Sequence, residues 1–304
     1  MKVAAFSNYG PAEVLRVMEV DDPQATNDEV RVRVKSAGIQ PFDCAVRKGD
    51  WTPPGLTVEF PQVLGNEFSG VIDQVGKEVL GFEVGDEVLG WELMACYAEY
   101  VVVKADQIVK KPQQMTWEEA GVITASGQTA HTALQELGVG KGDTILIHAA
   151  AGGVGTFAVQ IAQAWGATVI GTASEYNHDY LRSLGVVPVT YGDGLVNRVR
   201  SLAPDGVDVA LDAAGSEALI ASIDIVAHKD RIGTIVAFDL VEELGVRPIR
   251  SQRSTERLSE LVNLYMKGKL TIHVRKSFPL DKVVEAHREV ETGHGYGKVV
   301  LTID

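Results

Sequence analysis

The feature that most constrains this chain is the octapeptide HAAAGGVG, residues 148–155. It stands between two runs of opposite kind. TILIHA (144–149) is short, apolar and β-branched, and reads as a buried strand. VGTFAVQIAQAWG (154–166) spaces its apolar residues as a helix does and stops at a glycine. A strand, a glycine-rich turn and a helix in that order form a cradle for an anion. Gly152 lets the backbone approach a pyrophosphate, Gly155 lets the helix pack on the strand, and the first-turn amides and the helix dipole face the charge. The spacing is Ala150-x-Gly152-x-x-Gly155 with a further glycine at 153, so Ala150 takes the place of the usual first glycine. The strand–turn–helix–strand context carries the assignment. Ala150, Gly152, Gly153, Val154 and Gly155 are expected to hold a dinucleotide.

The segment that follows keeps alternating. TVIGTA (168–173) is a strand, HDYLRSLG a helix, VPVTY a strand, VDVALDAAG a strand and turn, and DRIGTIVAF (230–238) another strand. Such alternation predicts an α/β fold, a doubly wound parallel sheet with helices on both faces. The flanks differ. VLRVMEV (14–20) and EVRVRVKSAG (29–38) alternate in the strand manner. A loop with prolines at 41, 53, 54 and 61 follows, then short strands separated by glycines, the pattern of a small barrel or folded sheet. The change falls near Thr116, which caps a helix with Glu118 and Glu119 in its first turn. TERLSELVNLYMKGKL (255–270) is an amphipathic helix, and the terminal GKVVLTI is a strand expected to return to the first unit. The division is therefore 1–116 with 251–304 as a β-rich unit and 117–250 as the dinucleotide-binding unit.

Composition narrows the partners. A formal charge of −13 repels phosphate backbones, so nucleic acid is excluded as a main partner. No apolar run approaches the ~20 residues of a membrane span, and MKVAAFSNYG lacks a signal-peptide core, so a cytoplasmic location is expected. The two cysteines, Cys44 and Cys96, read as reduced thiols and cannot form a four-cysteine zinc lobe.

An NAD enzyme places Asp or Glu at the end of the second strand to hold the ribose hydroxyls. Here that strand ends in Ala173-Ser174. Ala173 offers no carboxylate to repel a 2′-phosphate, Ser174 can donate to it, and Tyr191 lies after the next strand. His178 and Arg182 supply positive charge from the following helix, or are simply its exposed face, while Glu175 argues the other way. The balance favours NADPH over NADH.

Together, GIQPFD (38–43), LGNEFSGVIDQVG (64–76), GFEVGDEVLG (81–90), YAEYVVV (97–103), SGQTAHTAL (126–134), HAAAGGVG and GKVVLTI resemble the medium-chain dehydrogenase/reductase superfamily, in its zinc-free quinone oxidoreductase (zeta-crystallin-like) branch. The resemblance implies a GroES-like catalytic domain and a Rossmann domain with the cofactor in the cleft between them, and a homodimer or homotetramer. Where zinc relatives carry a ligand Cys and a ligand His, this chain has Gln40 and Asn66, so no catalytic metal is expected. Asn66-Glu67 reads as a turn whose polar groups satisfy buried backbone.

Without a metal to polarise a simple ketone, the expected acceptor is a quinone or an α,β-unsaturated carbonyl, whose conjugation stabilises the product of hydride addition. By similarity, Gln40 replaces an Asn at the nicotinamide end, Asp43 orders the same loop, Thr129 stands near the nicotinamide, and Phe238 marks the backbone that holds the carboxamide. Trp51, after Arg47-Lys48-Gly49-Asp50, and Trp91 are candidate walls of the substrate pocket, with core packing an equal reading. His131 and His148 read as buried structural residues, and Arg250 and Arg253 as either phosphate contacts or a solvated loop. Two other readings stand beside this one: an enoyl-thioester or 2-alkenal reductase, and a non-catalytic NADPH-binding redox sensor.

Overall fold

A computed structural model describes residues 1–52 and 55–304; Pro53 and Pro54, two prolines of the expected loop, lie outside the described residues. The N-terminal part holds β1 (Lys2–Phe6), β2 (Leu15–Glu19), β3 (Glu29–Ile39), α1 (Pro41–Lys48), β4 (Gln62–Val63), β5 (Phe68–Val75), β6 (Glu87–Gly90), β7 (Tyr100–Lys104) and β8 (Ile108–Lys110). β3 shows why the alternating pattern folds as it does. Val30, Val32 and Val34 point into the core, while Arg31, Arg33 and Lys35 point away from it. It pairs antiparallel with β5 and β7.

The expected loop after residue 40 begins instead as α1. Pro41 occupies the first helical position, where its missing N–H costs nothing, and Gly49 ends the helix in the left-handed region at φ 80°. The carboxylate of Asp43 turns back to the Gln40 N–H at 2.8 Å, closing the first turn.

The central part holds α2 (Trp117–Ala120), α3 (Thr124–Glu136), β9 (Thr144–Ile147), α4 (Gly153–Ala164), β10 (Thr168–Ala173), α5 (His178–Ser183), β11 (Val187–Thr190), α6 (Leu195–Leu202), β12 (Val209–Asp212), α7 (Ser216–Ile225), β13 (Ile232–Thr234), α8 (Val241–Leu244) and β14 (Arg247–Pro248). The strands form one parallel sheet in the order β11-β10-β9-β12-β13-β14. The chain therefore reverses direction across the sheet between β9 and β12, the switch point where ligands of such sheets bind. The strand expected over 230–238 is shorter. The Thr234 hydroxyl accepts the N–H groups of Val236 (3.1 Å) and Ala237 (2.9 Å), which ends β13 and turns Phe238 into a 3-10 turn.

α9 (Thr255–Met266), β15 (Val274–Pro279), α10 (Val283–Glu291) and β16 (Lys298–Thr302) complete the chain. α9 lays Leu258 and Leu261 into the core that α3 and α4 share with the parallel sheet. β16 returns to the first unit, antiparallel to β3 with Val299 opposite Ile39, and the larger sheet runs β15-β16-β3-β5-β6-β8. No helix among the described residues is long and apolar enough to cross a membrane.

Candidate active site

The glycine turn sits at the switch point. Ala149 takes φ 51°, and the Ala150 N–H donates to Thr172 O at 2.9 Å, tying the turn to β10. An alanine fits where a glycine is usual because β10 gives way: a Cβ on Gly171 would stand 2.7 Å from the Ala150 Cβ. Gly152 precedes α4, whose first turn carries the amides of Gly153, Val154 and Gly155. These amides lie where a helix has no partner of its own to offer, which suits an anion.

Gly155 has no room for a side chain. A Cβ there would fall on Ala149 O and within 2.7 Å of the Ala150 Cα. Gly155→Ala is therefore expected to raise the Kd for the dinucleotide by about tenfold or more and to lower stability by ~1–3 kcal/mol. Titration of cofactor binding and a denaturation curve check both; wild-type affinity would show that helix and strand need not touch here.

Beyond the turn opens a cavity of about 1170 Å³, lined among others by Gly152, Ser174, Tyr191, Gly215 and His294. Its size and its position over the switch point fit a dinucleotide. The turn after β12 is held open by Asp212, whose Oδ1 accepts from Ala214 N (2.8 Å) and Gly215 N (2.9 Å) and whose Oδ2 accepts from the Thr234 hydroxyl (2.7 Å). Ser174 and Tyr191 thus face the cavity together with the turn. His178 and Arg182 do not line it: the Nε2 of His178 is buried without a partner among the described residues, and Arg182 pairs with Asp179 at 2.7 Å. Phe238 does not line it either, and the Arg250 guanidinium stacks over its ring at 4.9 Å. Asp212 and His294 escaped the sequence reading. The first lies in the quoted VDVALDAAG, and the second sits in a glycine-rich loop with no motif.

A second polar centre lies where β3, β5, α3 and β16 meet. Asp43 is fully buried and accepts four donors: Gln40 N at 2.8 Å, Gly65 N at 3.2 Å, Asn66 Nδ2 at 2.8 Å and Tyr97 OH at 3.0 Å. Burial pushes its carboxyl up to about 7, against the pull of those donors. Glu67, also fully buried, accepts from Gln40 Nε2 and from Ala125 N at 2.6 Å, and stands 3.5 Å from Lys298 Nζ. Asn66 Oδ1 accepts from Met94 N at 3.3 Å, and Arg253 donates to Asn66 O at 2.9 Å. Asn66 and Glu67 do satisfy buried backbone. Arg253 braces this turn from behind.

The remaining site residues fall around this centre. The Thr129 hydroxyl donates to Ala125 O at 2.8 Å, one turn below on α3. Trp51 is exposed and meets Phe42 edge-on at 5.3 Å, whereas Trp91 is half-buried against the core under the parallel sheet. The structure joins Gln40 and Asp43 directly, and does not bring the two tryptophans into one described cavity. His131 binds Glu260 at 2.8 Å, and His148 lies 2.9 Å from the Ser222 hydroxyl; both are buried in the packing of the parallel-sheet unit. Burial pushes the Cys44 thiol up to about 12, so it is a poor nucleophile.

Among the described residues, no group of three or more His, Cys, Asp or Glu side chains gathers to hold a metal. At the place of the zinc ligands stand two carboxamides, and both nearby carboxylates are already occupied, Glu67 by an amide, a backbone N–H and an ammonium and Asp43 by its four donors. This donor set does not fit zinc.

A family model for the GroES-like domain of alcohol dehydrogenases matches residues 26–113, and one for zinc-binding dehydrogenases matches 185–301. The quinone oxidoreductase of Pseudomonas aeruginosa is 32% identical, over 97% of this chain and 98% of the relative. A solved NAD-dependent alcohol dehydrogenase is 31% identical over all of both chains, with a TM-score of 0.89. A mycobacterial protein solved in complex with NADPH is 27% identical over 99% of this chain and 100% of its own, with a TM-score of 0.88. The chain belongs to the quinone oxidoreductase branch of the medium-chain dehydrogenase/reductase superfamily and is an oxidoreductase that uses a nicotinamide dinucleotide.

Proposed function

We propose that the enzyme reduces a quinone or an α,β-unsaturated carbonyl with NADPH, without a metal. The observation that carries this reading is the saturated carboxylate Glu67 beside Gln40, which replaces an open metal site with fixed hydrogen-bond groups. A nicotinamide held there would supply hydride, one proton with two electrons, for the acceptor carbon or quinone oxygen. A proton from water completes the product. The chain's own residues do the rest. The amides of the glycine turn hold the pyrophosphate, Ser174 and Tyr191 stand at the adenosine ribose, Asp43 fixes the loop that carries Gln40, and Gln40 with Thr129 orients the reacting end. Residues 1–116 with 251–304 are taken as the catalytic unit and 117–250 as the cofactor unit. Two units are supported by β16 joining the sheet of β3 while β9–β14 form a sheet of their own; α9, with Leu258 and Leu261 in the core of the parallel sheet, packs with the cofactor unit and argues for a later second boundary than 251.

NADPH is preferred because β10 ends without a carboxylate and Ser174 and Tyr191 line the cavity. Asp193 and Glu217 line it too, and among the described residues no Lys or Arg does. Hydroxyl donors, worth ~1.5–3 kcal/mol each to a charged group, then carry the discrimination, and with the two carboxylates offsetting about one of the pair the preference is on the order of 10- to 100-fold. The test follows nicotinamide absorbance with a quinone, an alkenal and a simple ketone, with each cofactor, with and without a chelator. Chelator-insensitive turnover of quinone or alkenal with that preference is expected. Ketone reduction lost on chelation overturns the metal-free reading, equal use of NADH overturns the cofactor choice, and tight binding without turnover identifies a sensor.

A further inference from the structure

Lys298 reaches the active centre from the last strand, as the second residue of the terminal GKVVLTI. Its side chain is only 2% exposed and faces a fully buried Glu67. The ammonium donates to Ser126 Oγ at 2.7 Å. An ammonium can only donate, so the Ser126 hydroxyl is left to send its own proton onward, and it does so to Gln40 Oε1 at 3.2 Å. With its oxygen committed, the Gln40 carboxamide must turn its nitrogen to Glu67, and Gln40 Nε2 donates to that carboxylate. Each link has one direction, and each forces the next. The ends are fixed as well, since Glu67 is pinned by Ala125 N at 2.6 Å and by Lys298 itself.

An amide nitrogen carries two hydrogens. Glu67 takes one; the other has no partner among the described residues. Gln40 is also the member of the chain that keeps most contact with the outside, at 8% exposure against 2% for Ser126 and 3% for Lys298.

We infer that Lys298 is a positioning residue for hydride transfer: through Ser126 it fixes the Gln40 carboxamide so that one N–H points to the cleft and meets the acceptor oxygen on which negative charge collects. The inference rests on the reading above that Gln40 stands at the reacting end of the cofactor. A donor held ready in a water-poor site replaces the polarising metal without itself having to reorganise during the reaction. Without the ammonium, the serine hydroxyl is free to swing and the amide to present its oxygen instead, which repels the developing charge. The charged groups around the lysine are Glu67 and Asp43 on one side and Arg275 on the other, and burial draws the ammonium below the usual lysine range.

The test compares Ser126→Ala, Ser126→Thr, Lys298→Met, the double Ser126→Ala/Lys298→Met, and Gln40→Leu, with a quinone acceptor. Ser126→Ala leaves both buried charges in place, so it folds even where Lys298→Met, which strands Glu67, does not. Ser126→Ala is expected to lower kcat ~10- to 100-fold, roughly what one mis-set oxyanion donor costs. The Kd for NADPH should change by less than about threefold, and Ser126→Thr, which restores the hydroxyl, should recover most of kcat. Lys298→Met, where it folds, should lower kcat at least as far as Ser126→Ala, and the double should be no worse than Lys298→Met alone, because one chain is cut twice. Wild-type kcat in Ser126→Ala alongside a loss in Gln40→Leu overturns the positioning role alone. Wild-type kcat in Gln40→Leu overturns the reading of Gln40 itself. A weakened Kd in Lys298→Met, with Ser126→Ala unaffected, makes the lysine a cofactor contact and overturns the inference.

Discussion

An Asp43→Ala variant is expected to lose about 3–5 kcal/mol of stability and nearly all activity. Two backbone N–H groups, one carboxamide and one phenol converge on this carboxylate within 2.8–3.2 Å, and all the residues that supply them are buried. Truncation leaves four buried donors facing a void. One such donor costs ~1–3 kcal/mol, and partial collapse keeps the total below their sum. The Tyr97 phenol has no other bond among the described residues, and its burial already holds its ionisation well above the usual tyrosine range, so it stays a donor in search of an acceptor. Asp43→Asn is expected to fare little better. Its single oxygen can serve one pair of donors, but its NH₂ then opposes the other pair. Denaturant midpoints for both variants measure the effect, and a loss under about 1 kcal/mol for the alanine variant would show that water or rearrangement fills the site. Activity should fall with stability, because Asp43 closes the first turn of α1 and so sets where Gln40 begins.

The dinucleotide turn was legible in the sequence because its requirement is local. Gly155 must lack a Cβ for the helix to touch the strand, and the spacing from Gly152 follows from one helical turn. β3 was legible for the same kind of reason, one face valine and the other charged. The centre around Glu67 was not, since Gln40, Glu67, Ser126 and Lys298 come from four separate segments and meet only through the sheet and the return of β16. Asn66 read as a lost ligand, yet its visible work is to donate to Asp43 at 2.8 Å. α1 hid behind Pro41, a residue that suits a loop and a first helical turn equally well. His178 was placed by its position along the helix, but a 3-10 turn over Glu175–Asn177 precedes α5 and sets the direction of its first residue. Side-chain aim at the start of a helix depends on such turns, which spacing alone does not encode.

Stability is expected to fall on acidification between about pH 6.5 and about pH 4, because two histidines that cannot take up a proton in the native state outweigh the one raised carboxyl, Asp43, that takes one up early. His287 is fully buried; its Nδ1 lies 3.1 Å from the Arg47 guanidinium and 3.4 Å from the Cys44 sulfur. Burial, then the neighbouring guanidinium, draw it down to about 3. His148, buried beneath the glycine turn beside Ser222, is drawn down to about 4 by burial. In the unfolded chain both titrate near ~6.5. Below that value the unfolded state binds two protons that the native state refuses, so stability present above about pH 6.5 is lost as pH falls, until the native groups titrate in turn. At about pH 5 each histidine costs ~2 kcal/mol, ~4 kcal/mol together; the Asp43 carboxyl, raised to about 7 and so protonated first in the native state, returns ~2.7 kcal/mol, which leaves a net loss of ~1–2 kcal/mol. Denaturation curves at about pH 7 and pH 5 read the loss, and replacing either histidine with glutamine should remove ~2 kcal/mol of it, enough to level or invert the profile. A flat wild-type profile over that range would mean that water or a shifted Arg47 admits the proton. The same acidification should favour proton delivery after hydride transfer, which raises the rate of molecules still folded. A fall in activity that tracks the unfolded fraction, with kcat per folded molecule level or rising, therefore assigns the acid limb to these histidines and not to the chemistry in the cleft.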